Sequence, residues 1–238
     1  MTQSPPFPLL RHPAFQELSP EGAEILQKSS RFLRFELGHQ MSAPESIPAN
    51  ILILLQGQAR LVSRHQGRLT TVGKFGPGSV IGAASLLCGK ACENVVASEE
   101  ATACAVADEV WTELYASEVS FRRWCDRQVW PQELLQLIEA LRQNSPDATT
   151  SSVELLEQGL SVAVHCAPEQ GAIDAELASG KRIYLSSEAG DRSIGQLISS
   201  ADDLPETQRF NPRLIALPQE FLDAVQASVA VVPTEVVD

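Results

Sequence analysis

The feature that most limits the fold of this sequence is a series of short apolar or alternating segments, each closed by glycine or proline, between residues 31 and 106. Arg31-Phe-Leu-Arg-Phe-Glu-Leu37 ends at Gly38, and Ile51-Leu-Ile-Leu-Leu55 ends at Gln56-Gly57. Ala59-Arg-Leu-Val-Ser-Arg-His65 is broken by Gln66-Gly67, and Leu69-Thr-Thr-Val72 leads into Phe75-Gly-Pro-Gly78. Val80-Ile81, Asn94-Val-Val-Ala97 and Ala101-Thr-Ala-Cys-Ala-Val106 continue the series. Runs this short, punctuated by residues that tolerate tight turns, predict antiparallel strands joined by hairpins.

Helical patterns flank the strands. Ser19 followed by Pro20 is an N-cap with proline at the first helical position, so a helix is expected from there to about Lys28. From Glu109 the apolar period becomes helical, and two helices are expected. The second carries a stripe of Leu134, Leu135, Leu137, Ile138 and Leu141. That stripe suits a helix covering the strands, and equally a homodimer formed through the 131–142 helix. Trp111, Trp124 and Trp130 fall in the same stretch and are expected to anchor helices to the strands; a partner surface is the alternative.

Of the 238 residues, 44% are hydrophobic, which excludes wholesale disorder. The apolar runs are far shorter than the ~20 residues of a membrane helix. The first residues carry neither the basic start nor the apolar run of a secretory signal. Five cysteines without paired spacing suit reduced thiols, so a cytoplasmic location is expected. The net charge is −12, and residues 145–238, with 5 Lys/Arg against 15 Asp/Glu, carry −10 of it. This shift predicts a first domain over 1–144, a polar linker over 145–152 and an acidic α+β appendage over 153–238. The ending at Val231–Asp238 suits a segment of a longer chain as well as a natural tail.

The order of elements and the glycine placement resemble the cyclic-nucleotide-binding domain family of CRP/FNR-type regulators. Phe15-Gln-Glu-Leu18, Gly38, Ile51–Val62, Gly67, Phe75–Gly82 and Ser85-Leu-Leu87 carry the likeness, which covers roughly residues 13–144. It implies a mainly β fold, a cupin-like β-roll with flanking helices. In that family a short cassette helix follows a glycine and a glutamate that accepts from the ribose. A Pro-Arg pair then opens the next strand, and the arginine and the helix N-terminus hold the cyclic phosphate. Here Gly82 matches the cassette glycine, Ala83 stands at the glutamate, and Ala84 and Ser85 match the small positions. The Pro-Arg positions fall on Ala91 and Cys92, and the threonine on Val95; a one-residue slide puts Glu93 at the arginine. Loss of the arginine alone removes an interaction of about 1.5–3 kcal/mol or more. That weakens binding by roughly two to three orders of magnitude. A degenerate pocket at Gly82, Ala83, Ala84, Ser85, Cys92, Glu93 and Val95 is therefore expected, with no cofactor.

Other candidate sites are thin. Cys88, Cys92 and Cys104 lack metal spacing, and no metal is expected. Cys92 or Cys166 as the nucleophile of a cysteine hydrolase is a remote alternative, since neighbours such as His165 and Cys166 point to opposite faces of a strand. In the appendage, Ser161–Val164, Lys181–Ser186 and Arg213–Leu217 read as strands, Ile194–Ile198 as strand or helix, and Pro218–Gln226 as a helix. The acidic charge and Pro205, Pro212 and Pro218 argue against a DNA-reading helix pair, so nucleic acid is not an expected partner. The expected function is a non-catalytic regulatory or interaction module whose partners are other domains or proteins. A weaker resemblance, to the leading region of bacterial peptidase-containing ABC exporters of type I secretion, suggests the setting. A CRP/FNR-type ligand-sensing transcription regulator is the alternative.

Overall fold

Ser19 starts the first helix as its sequence context predicts. Its hydroxyl accepts the Gly22 N–H, and Pro20 opens α1 (Pro20–Ser29), where a missing N–H leaves nothing unpaired. The computed structural model describes residues 8–65, 68–143, 151–188, 190, 192–205 and 209–227.

After α1 the chain forms β1 (Arg31–Phe35), β2 (Gln40–Ser42), β3 (Asn50–Gln56), β4 (Ala59–His65), β5 (Arg68–Phe75) and β6 (Val80–Ile81). The short helix α2 (Ala83–Leu87) separates these from β7 (Val95–Ala97) and β8 (Ala101–Ala107). Two antiparallel sheets result, with strand orders β1-β8-β3-β6 and β2-β7-β4-β5. The continuous apolar run of β3 has a direct cause. Leu52 and Leu54 enter the core inside the roll, while Ile51 and Ile53 enter a second core under the helices, so both faces of the strand are buried. Gly57, at φ 83°, makes the turn into β4; a Cβ there would lie 2.3 Å from the Glu100 carbonyl oxygen.

Three helices follow β8 rather than the expected two: α3 (Asp108–Ser117), α4 (Val119–Arg127) and α5 (Pro131–Arg142). The break is at Glu118, whose backbone is extended (φ −104°, ψ 104°). Its carboxylate accepts the Ser19 N–H at 3.1 Å and the Ser19 hydroxyl, so a tertiary contact to the start of α1 ends the helix. Trp111 is fully buried and meets Phe121 edge-on at 4.9 Å and Phe15 at 6.0 Å. Trp130 is also buried, and Trp124 packs edge-on against it at 5.7 Å.

The C-terminal part contains α6 (Ser152–Val162), β9 (Val164–Cys166), α7 (Gln170–Ala178), β10 (Lys181–Leu185), β11 (Leu197–Ile198), β12 (Leu214–Pro218) and α8 (Gln219–Gln226). Its antiparallel sheet has the order β11-β10-β12-β9. The strand expected over Ser161–Val164 is instead the end of α6, with β9 beginning at Val164. The cause is the Ser151–Glu154 capping box, which sets the helix going, and the burial of Leu155 and Leu156. Gly159 sits where a Cβ would lie 2.8 Å from Phe221 Cζ, so α6 and α8 pack closely there. Most of the expected 145–152 linker lies outside the described residues, as do the Gln66-Gly67 turn and the Val231–Asp238 ending. α5 lies between the two parts. Its Leu134, Leu137 and Ile138 share one apolar cluster with Leu54 and Leu61 of the roll and with Leu155, Leu217 and Phe221 beyond it.

Candidate functional site

The sequence-predicted pocket residues converge around α2. Gly82 precedes the helix at φ 97°, a left-handed conformation that a side chain rarely adopts, and a Cβ there would lie 2.9 Å from Pro48 Cγ. Ala83, Ala84 and Ser85 are fully buried. After α2 the chain folds back so that Cys92 and Glu93 return to Ser85. The Ser85 hydroxyl accepts the Cys92 N–H at 3.1 Å and the Glu93 N–H at 3.2 Å, and lies 3.4 Å from the Cys92 thiol. Val95 is buried at the start of β7, paired across to Ser42 and Leu61.

Glu93 is the residue on which the site turns. It is fully buried, and its carboxylate accepts the Ser85 backbone N–H at 3.2 Å. The Gly82 amide also favours its charged form. These are the orphan amides of the start of α2, which in any helix favour an anion. A carboxylate of this chain therefore caps the start of α2. Burial pushes the Glu93 carboxyl up to about 7 against the lowering effect of those amides. Its second oxygen, Oε1, is buried with no hydrogen-bond partner. In the sequence, Glu93 reaches the arginine position only by a one-residue slide; its position as the acceptor for the Ser85 amide emerges only from the fold.

Beside this cassette, α5 covers the open side of the roll and leaves a cavity of about 210 Å³. Ser63 of β4 and Asn94 line it from the roll side, Gln132 and Gln136 from α5, and Glu45 and Glu139 complete it.

α5 is fastened from its other side by Arg213, which the sequence reading did not single out. Arg213 and Glu133 are 2% and 0% exposed and form a bidentate pair, Nε to Oε1 at 2.8 Å and Nη2 to Oε2 at 2.9 Å. The guanidinium also donates to the Cys125 and Gln128 carbonyls, and the Ser186 hydroxyl donates to Glu133 Oε1 at 2.5 Å. Burial alone would lower the Arg213 pKa; the adjacent Glu133 carboxylate outweighs it and raises it.

The thiols are quiet. Burial pushes Cys92 up to about 12, with the Glu93 charge adding to the effect, and pushes Cys166 up to about 11. Cys88, Cys104 and Cys125 are raised in the same direction, again chiefly by burial. None is held as the thiolate that nucleophilic chemistry requires. His165 and Cys166 lie on adjacent registers of β9, opposite Ile215 and Leu214, and burial lowers the His165 pKa well below its ordinary value. Among the described residues no three His, Cys, Asp or Glu side chains group to hold a metal ion, and no helix is long and apolar enough to cross a membrane.

Residues 35–118 match the family model for the cyclic nucleotide-binding domain. The likeness to that family rests on these residues. Solved structures similar to this chain include a putative cyclic nucleotide-binding protein from Geobacter metallireducens. It has 19% identity, covers 51% of this chain and 89% of its own, and has a TM-score of 0.43. The sensor domain of the transcriptional regulator DNR from Pseudomonas aeruginosa has 14% identity, with 60% and 91% covered and a TM-score of 0.45. The regulatory subunit of a cAMP-independent protein kinase A from Trypanosoma cruzi, bound to guanosine, has 16% identity, 49% and 45% covered, and a TM-score of 0.39. No curated protein matches the chain. The matched residues span β2 to β8, α2 and α3, and Gly82, Ser85 and Glu93 all lie among them.

Proposed function

We propose that this chain is a non-catalytic, cytoplasmic regulatory or interaction module whose cyclic nucleotide-binding domain no longer takes a cyclic nucleotide. The observation that carries this reading is the hydrogen bond from the Ser85 amide to Glu93 Oε2. A cyclic phosphate would have to displace a buried carboxylate from the helix start, or share a low-dielectric site with it. A second anion there either meets the charged carboxylate or must keep the carboxyl protonated above its own value of about 7, and both weaken binding. Ala83 and Cys92 offer neither a ribose acceptor nor a guanidinium to offset that cost. The raised thiols argue against a cysteine-dependent activity in the same residues.

The C-terminal part supports an interaction role over DNA reading. It is a four-stranded antiparallel sheet with helices, and it is joined to α5 by the Arg213–Glu133 pair. None of the solved structures named above is an exporter, and that resemblance forms no part of the proposal.

Titration calorimetry of the full chain with cAMP and cGMP tests the reading. The expected result is no saturable heat at ligand concentrations up to about 1 mM, the regime of contacts worth only about 4 kcal/mol. Saturable binding in the micromolar range would overturn it.

A further inference from the structure

The outer stripe of α4 carries three arginines against one aspartate, on a protein of net charge −12. Val119, Arg122, Arg123, Asp126 and Arg127 fall at i, i+3, i+4, i+7 and i+8, one continuous face of the helix; Phe121 and Cys125 are buried on the other. All five line a groove of about 780 Å³, together with Pro168 and Glu169 of the β9–α7 turn and with Leu204 and Pro205.

The aspartate of the stripe is committed elsewhere. Asp126 Oδ1 accepts the Tyr115 hydroxyl at 2.8 Å, and Oδ2 accepts Asn211 Nδ2 at 3.3 Å. The arginines are left over. Arg122 Nη1 donates to the Ala116 carbonyl at 3.5 Å, and Arg123 and Arg127 are exposed. Among the described residues none of the three lies within ion-pair distance of a carboxylate. Arg123 and Arg127, four residues apart on one face, repel each other, and an anion between them removes that repulsion. His165 also lines the groove, but burial, and after it the Arg213 charge, lower its pKa, so it adds no charge at neutral pH.

We infer that this groove is a docking surface for an acidic, extended segment of a partner protein, its carboxylates on the three arginines and its apolar side chains against Val119 and Leu204. Charge complementarity selects the sign, and the volume lies in the range of ligand clefts, about 300–1,000 Å³. A nucleic acid fits less well: no aromatic side chain stands among the described lining residues for bases to stack on except His165, and Asp126 and Glu169 oppose a run of phosphates. The inference rests on the proposed function, since it names the kind of partner that an interaction module of this chain takes.

A fluorescein-labelled hexapeptide of alternating glutamate and leucine, titrated with the full chain and followed by fluorescence anisotropy, tests it. Saturable binding is expected at low ionic strength, weakening as salt rises to about 150 mM. Arg123→Gln with Arg127→Gln is expected to weaken binding about tenfold while leaving Tm unchanged, because both side chains are exposed and unbridged. Arg60→Gln, at an exposed position on the roll, is expected to change neither. No saturation, or an equal loss in Arg60→Gln, overturns the inference. So does tighter binding of a labelled hexathymidylate than of the peptide. Each of these results leaves the cyclic nucleotide reading standing, which saturable binding of cAMP or cGMP overturns separately.

Discussion

Arg213 and Glu133 are 80 residues apart in the chain, yet their side chains meet in a bidentate pair with Nε–Oε1 at 2.8 Å, both almost fully withdrawn from solvent. The pair fastens the beginning of β12 to the first turn of α5, the helix that covers the roll. Both partners are satisfied: the guanidinium reaches two carbonyls, and the carboxylate also accepts from Ser186. Removing one partner strands the other in a low-dielectric interior.

Arg213→Ala is therefore expected to destabilise the protein by about 3–5 kcal/mol. For a chain of this length that lowers Tm by on the order of 10 °C. The double variant Glu133→Leu with Arg213→Met is expected to lose less than either single truncation, since no charge is left unpaired. Thermal melts of the variants check both statements, and additive losses would contradict them.

Glu93 gives the protein a pH dependence of defined sign. Its folded pKa, about 7, lies above the 4.5 of a free glutamate, so the folded state holds the proton through that window. Its contribution is fully present below pH 4.5 and is lost as pH rises through 7. Glu93→Gln is expected to remove this slope and to be the more stable protein at pH 8, by up to roughly 3 kcal/mol. His165, buried with a lowered pKa, contributes the opposite slope, but it is common to both proteins and cancels in the comparison. Urea denaturation of the two proteins from pH 5 to 8 measures the difference; a gap that does not widen with pH would contradict it.

Gly82 holds φ 97°, and a Cβ would lie 2.9 Å from Pro48 Cγ and 3.3 Å from Ile51 Cδ1. Gly82→Ala combines backbone strain with this crowding and is expected to cost about 1–3 kcal/mol in denaturant unfolding. Gly78→Ala makes the useful comparison, because Gly78 has a similar φ of 88° with nothing within 4 Å of the added atom. Its loss is expected to be the smaller of the two.

With Cys92 at about 12 and Cys166 at about 11, against 9.0 for the free side chain, thiolate is scarce at pH 8. Alkylation of every thiol in the native protein is expected to run at least about a hundredfold slower than that of free cysteine. A single thiol reacting as fast as the free amino acid would reopen the reading of a cysteine-dependent activity.

The roll was legible because its signals are local. Glycines closing short apolar runs mark turns whatever the tertiary context, and Ser19-Pro20 announces a helix in two residues. The continuous run Ile51–Leu55 belongs to a strand with a core on each face. The helix ending at Val162 was misread because Ser161–Val164 alternates like a strand, whereas the Ser151 cap and the packing of Gly159 on Phe221 decide the matter. The break at Glu118 depends on Ser19, about a hundred positions earlier, and no local pattern announces it. The likeness puts Ala83 and Cys92 at its glutamate and arginine, which the sequence alone displays, but the bond from the Ser85 amide to Glu93 requires the chain to double back over α2.

Glu93 accepts the Ser85 amide at the start of α2, the place where we propose that a cyclic phosphate is excluded, and the amide resonances of Gly82 and Ser85 report on that occupancy directly. Both are expected to shift with pH along one titration with a midpoint near 7, the Glu93 value. Neither is expected to move when cAMP or cGMP is added to about 1 mM. Shifts of both amides that saturate at micromolar cyclic nucleotide would contradict it.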